Sequence, residues 1–105
     1  VRFAVSGTLL DSCVLGVLQS RPTYGYELTQ KIQAAIDVSE STLYPVLRRL
    51  LQCGMLDTYD EPFDGRNRRY YRITGEGKAA LEDAVTVWQG YKERIETLLT
   101  GGIEL

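Results

Sequence analysis

The chain has 105 residues, 44% of them hydrophobic and 25% charged, a composition that fits one soluble globular domain with a single core. It carries no histidine and only two well-separated cysteines, Cys13 and Cys53, so His/Cys zinc sites and His-activated Ser or Cys nucleophiles are excluded. The formal net charge is -2, yet Arg48, Arg49, Arg66, Arg68, Arg69 and Arg72 crowd into residues 48–72 while the acids are spread along the chain; a basic face on a mildly acidic protein is expected.

The common glycine-rich nucleotide cradles are missing, and no paired carboxylates stand out from the solvated charges. No apolar run approaches the length of a membrane span, and the first residues lack a signal-peptide pattern. A cytoplasmic protein without cofactor, metal or enzymatic activity is expected. Both cysteines fall at apolar helical positions, which predicts buried thiols.

Val1 to Gly7 has no clear period. Thr8 to Ser20 reads as a first helix, apolar almost all round, with Leu10, Cys13, Val14, Val17 and Leu18 as its stripe. Such a helix needs a second surface besides its own core, which points to a dimer. Arg21-Pro22-Thr23 breaks it. Thr23 is the expected N-cap of a second helix running from Tyr24 to about Ile36.

After a short turn, Ser41 to Gly54 has two faces. Leu43, Val46, Leu47, Leu50 and Leu51 form an apolar stripe, while Tyr44, Arg48 and Gln52 recur every four residues on another face. Thr42 is the favoured cap among Ser39, Ser41 and Thr42, because it leaves Pro45 in the first turn; an earlier start should bend the helix at Pro45. Gly54 ends it. An amphipathic helix bearing Ser, Tyr, Arg and Gln suits a DNA groove, and two helices joined by a short turn fit a helix-turn-helix.

Leu56 to Asp60 is a short strand and Arg69 to Thr74 a better one, with Tyr71 and Ile73 on one face and Tyr70 and Arg72 on the other. The intervening stretch, with Pro62 and Asp64-Gly65, makes a hairpin whose tip is expected to hold Arg66, Arg68 and Arg69. Placed after a recognition-type helix, this is a wing. Thr74 caps a long last helix, about Gly75 to Leu99, whose apolar positions Leu81, Val85, Trp88, Ile95 and Leu98 form a near-heptad seam for dimerisation. Gly101-Gly102 terminates it. The expected class is mostly α with a small β-hairpin: a winged helix-turn-helix over 1–74, its first helix also serving the dimer, and a C-terminal dimerisation helix and tail over 75–105.

The stretches TYGYEL (Thr23 to Leu28), STLYPVLRRL (Ser41 to Leu50), Gly54 to Leu56 and RRYYRITGEGKAAL (Arg68 to Leu81) together resemble the PadR family of bacterial transcriptional regulators. The likeness runs from the first helix to the last, and the single C-terminal helix looks like the small branch of that family. It implies a homodimeric winged-helix repressor on a pseudo-palindromic double-stranded DNA operator. By that similarity Ser41, Thr42, Tyr44, Pro45 and Arg48 belong to the recognition helix, and Arg66, Arg68 and Arg69 to the wing. Tyr26 and Tyr71 are either core residues or phosphate contacts.

Trp88 falls where multidrug-binding members of the small branch carry a tryptophan that stacks on flat aromatic compounds. Two readings stand side by side: a packed interface residue, or a ligand platform with Asp11, Thr8 and Tyr91 nearby and a carboxylate to attract an aromatic cation. Large residues such as Tyr91 and Lys92 could instead fill that space. The alternative function is a winged-helix protein-interaction module without specific DNA binding.

Overall fold

The computed structural model describes residues 3–102. Val1, Arg2 and the last three residues of the tail lie outside the described residues. The elements run α1 (Gly7–Val17), β1 (Thr23–Tyr24), α2 (Gly25–Ala35), α3 (Glu40–Gln52), β2 (Leu56–Phe63), β3 (Arg66–Ile73) and α4 (Gly75–Leu99). The three strands form one antiparallel sheet in the order β1-β3-β2. This is a winged helix with a long C-terminal helix, as the sequence predicts.

α1, α3 and α4 start where a side chain satisfies a free N–H group. Ser6 caps α1, accepting from the Leu9 N–H. Ser39, not Thr42, caps α3, accepting from the Thr42 N–H. The helix therefore begins earlier than expected and runs through Pro45, which sits in its second turn and withholds a donor from the Ser41 carbonyl. The apolar stripe decides this: Leu43, Val46, Leu47 and Leu50 are all buried, so continuous helix secures more burial than a late start.

Thr23 is a second correction. It caps nothing; it is fully buried in β1, opposite Tyr71 of β3, and Tyr24 occupies the N-cap position of α2 without a side-chain cap bond. α1 also ends sooner than expected, at Val17, and Leu18 closes the core behind it. Of the two cysteines, Cys13 is half-buried, and burial pushes its thiol up from the ordinary value. Cys53 is exposed, because as the C-cap of α3 it lies beyond the buried stripe.

The wing differs from an arginine-tipped loop. Its strands are eight residues each, joined by the two-residue turn Asp64-Gly65 with φ of 50° and 75°. That is a type I′ geometry, which Asp-Gly supplies at little strain. Arg66, Arg68 and Arg69 thus lie along β3 rather than in a loop, opposite Phe63, Glu61 and Asp60.

The core gathers Leu10, Val14, Leu15 and Leu18 of α1 with Leu28 and Ile32 of α2, the α3 stripe, Leu56, Ile73 and Leu81. The end of α3, the end of β3 and the start of α4 meet at one joint. Gly54, with φ of 76°, lets α3 close with its Leu50 and Leu51 carbonyls accepting from Met55 and Gly54. The Thr74 hydroxyl donates to the Gly54 carbonyl at 2.7 Å and accepts from the Gly77 N–H at 3.1 Å. A Cβ on Gly77 would stand 2.2 Å from the Met55 carbonyl oxygen and 2.8 Å from Ile73 Cγ1.

Beyond Leu81, α4 leaves the core. The radius of gyration is 16.1 Å, against roughly 13 Å for a compact domain of about this size. Among the described residues no helix is long and apolar enough to cross a membrane. Gly77→Ala is expected to destabilise the protomer by about 1–3 kcal/mol, because backbone must move to admit the methyl; chemical denaturation monitored by circular dichroism will read this as a lowered midpoint with an unchanged slope.

Candidate functional site

The solvent face of α3 carries Ser41, Thr42, Tyr44, Pro45 and Arg48, all exposed. Its N-terminal hydroxyls are partly engaged: Ser39 Oγ lies 2.9 Å from Ser41 Oγ and 3.0 Å from Thr42 Oγ1. Among the described residues no ion pair holds Arg48, so its guanidinium is available. The adjacent Arg49 differs. Its Nη2 is ion-paired and hydrogen-bonded to Asp11 Oδ1 of α1.

The three wing arginines separate into three environments. Arg66 adjoins the turn and has no ion pair among the described residues. The Arg68 guanidinium carbon lies over two rings, 3.5 Å from the Phe63 centroid and 4.2 Å from that of Tyr24. Arg69 faces the other side of the sheet, 3.6 Å from Asp60 across the hairpin. It shares that side with Tyr71, whose phenol is pushed up by burial, against the Arg69 cation and with the help of Tyr44. Arg69 is therefore the wing arginine on the α3 side.

The outer face holds a cluster that sequence reasoning missed. Tyr59 and Tyr70 stack at 5.3 Å and 8°, Tyr24 packs on Tyr70 at 5.9 Å, and Arg72 lies over Tyr59 while pairing with Asp57 at 2.8 Å. The signal was available: a two-residue Asp64-Gly65 turn fixes which residues face each other, and it places Tyr59 opposite Tyr70. The two tyrosines left open now differ. Tyr71 is half-buried against the core, and Tyr26 is exposed, its hydroxyl accepting from Gln30 Nε2 at 2.7 Å.

Thr8, Asp11, Trp88 and Tyr91 come together. All four line one groove of about 450 Å³ between α1 and α4, with Leu15, Leu50 and Met55 among its walls. Trp88 and Tyr91 remain 41% and 50% exposed, so neither fills it. Among the described residues the charged ones lining it are Asp11 and Asp83, and no basic side chain does. Trp88 also borders a second groove of about 450 Å³ across α1, walled by Val5, Cys13, Gly16, Leu81 and Val85 and, among the described residues, free of charged lining.

Of the seam residues, Leu81 is buried within the chain's own core, against Gly16. Val85, Trp88, Ile95 and Leu98 are exposed, as are Val87 and Leu99 beside them.

The sequence pattern of the transcriptional regulator PadR-like family matches residues 14–83. An uncharacterized protein of Lysinibacillus sphaericus is 37% identical over 97 residues, covering 88% of this chain and 89% of that protein. The transcriptional regulator Rv3488 of Mycobacterium tuberculosis is 44% identical over 61 residues, or 57% of each chain. Among solved structures, smu.1704 of Streptococcus mutans UA159 aligns over 100% of this chain and 99% of its own with a TM-score of 0.89 at 33% identity. A PadR family transcription regulator from Clostridium difficile R20291 aligns over 86% of this chain and 97% of its own, with a TM-score of 0.79 at 27% identity. The chain belongs to the PadR-like family of transcriptional regulators, which are DNA-binding proteins rather than enzymes.

Proposed function

We propose that this protein is a cytoplasmic homodimeric repressor that reads a pseudo-palindromic operator and is released by a planar aromatic ligand. The observation that carries the DNA reading is the exposed α3 face, on which no ion pair holds Arg48 among the described residues, set beside a wing in a PadR-family chain. Residues 1–74 would form the DNA-binding unit. Helix α3, through Ser41, Thr42, Tyr44, Pro45 and Arg48, enters the major groove; Arg66, Arg68 and Arg69 of the wing lie along the adjacent backbone. Two-fold symmetry then requires half-sites separated by about one helical turn or a multiple of it.

Residues 75–105 would form the dimerisation unit. The apolar side chains Val85, Trp88, Ile95 and Leu98 stand exposed on a helix about 37 Å long. The uncharged groove beside Leu81 and Val85 matches an apolar helix of a second copy. The groove with Asp11 and Asp83 matches a different occupant, a flat aromatic cation against Trp88 and Tyr91. A ligand that prefers a dimer geometry unsuited to the operator lowers DNA affinity by its differential affinity for the two forms.

The decisive experiment is selection of bound duplexes from a random pool, followed by anisotropy against a scrambled duplex at two salt concentrations. A specificity ratio of about 10³ or more, at two protomers per site, supports the repressor reading; weak and equal binding to both duplexes would point to a protein-interaction module. Arg48→Ala is expected to lose about 1–3 kcal/mol on the selected duplex and little on the scrambled one. Arg66→Ala should weaken both alike and reduce the salt slope by about one. Ile95→Asp should yield a folded monomer in sedimentation velocity, since the residue lies outside the protomer core. Linkage requires saturating operator to weaken ligand binding by the factor with which ligand weakens operator binding.

A further inference from the structure

The groove and the candidate recognition helix share an ion pair. Asp11 lines the groove from α1, and its carboxylate holds the Arg49 guanidinium of α3. The next residue, Leu50, is itself part of the groove wall. Arg49 is thus the cation paired with the carboxylate that Asp11 contributes to the groove. Both partners are partly open to solvent, at 47% and 26% exposure, and such pairs are weakly held and readily exchanged.

We propose that the Asp11–Arg49 pair is an exchange contact: a planar aromatic cation in the groove takes the Asp11 carboxylate and frees Arg49 from α1. This rests on the ligand reading of the groove given above and assigns its means of communication. The ring system stacks on Trp88 and Tyr91, and the positive charge replaces the guanidinium at Asp11. Charge conservation at the carboxylate makes the swap local: one cation leaves as another arrives. The consequence falls on α3, because Arg49 adjoins Arg48 and its bond to Asp11 ties that helix to α1. A neutral ligand of the same shape occupies the groove without releasing the arginine, so the exchange discriminates by charge as well as by fit.

The test uses the full chain without DNA, because planar cations bind duplexes on their own. Calorimetric titrations compare N-methylacridinium with acridine at a mildly alkaline pH, where acridine is uncharged. Asp11→Asn is expected to weaken N-methylacridinium about tenfold, the loss of one charged hydrogen-bond partner. Arg49→Met is expected to tighten it about fivefold, because the competing cation is gone. Arg49→Lys, which keeps a competitor, should bind as the unaltered protein does. In the Asp11→Asn background, Arg49→Met should add nothing, and acridine should bind all variants alike. If N-methylacridinium binds but Arg49→Met does not tighten it, the exchange is wrong and the groove reading stands. If neither compound binds, the groove reading and the exchange fall together. Thermal melting checks that each variant is folded; should Asp11→Asn not fold, the Arg49→Met titration alone decides.

Discussion

The hydroxyl of Thr74 is the point on which the arrangement turns. It caps α4 by accepting from Gly77 and in the same geometry donates to the Gly54 carbonyl at the end of α3. Met55, just past that end, also accepts from the Thr74 N–H at 3.1 Å. One residue therefore joins the helix with the polar-basic face to the helix with the apolar seam. The contact is close enough that Gly77 has no room for a side chain. A joint made of backbone and one short hydroxyl has few soft torsions. The direction of α4 relative to α3 is then a property of the fold rather than of loop conformation.

That geometry gives the chain a division between what it completes and what it leaves open. The α3 stripe, α1 and α2 bury their leucines within the chain. The seam from Val85 onward does not, although its residues are as apolar as those of the core. Contiguous exposed apolar surface of this kind is unusual on a self-sufficient monomer. The two grooves beside Trp88 extend it, among the described residues one without charged lining and the other acidic. Their different lining separates what each can hold, although they share the tryptophan between them.

Much of this was legible in the sequence because it rested on long periods and on capping chemistry. The α3 stripe, the Gly54 stop, Thr74 as a cap and the 25-residue last helix all follow from spacing. The gathering of Thr8, Asp11, Trp88 and Tyr91 followed from the family resemblance instead. What was not legible has physical causes. β1 is two residues long, too short to show alternation, and its Thr23 imitates a helix cap. Pro45 biased the start of α3, because local cost is visible in sequence whereas the burial that outweighs it is not. The Asp11–Arg49 pair spans 38 positions, and no local pattern announces it. The hairpin register could have been counted from Asp64-Gly65, but eight residues between the strong strand signals read as loop.

The rungs across the hairpin bear on how such a protein would travel. Asp57 faces Arg72 and Asp60 faces Arg69, while Arg68 is spread over two aromatic rings. Much of the wing's positive charge is thus matched within the wing itself. Pairs this exposed exchange readily, so a phosphate can still take Arg69 or Arg72, but it must displace Asp60 or Asp57 to do so. Arg66, which no ion pair holds among the described residues, would meet an arbitrary duplex without that exchange, so the wing would add less to sequence-independent binding than its number of arginines implies.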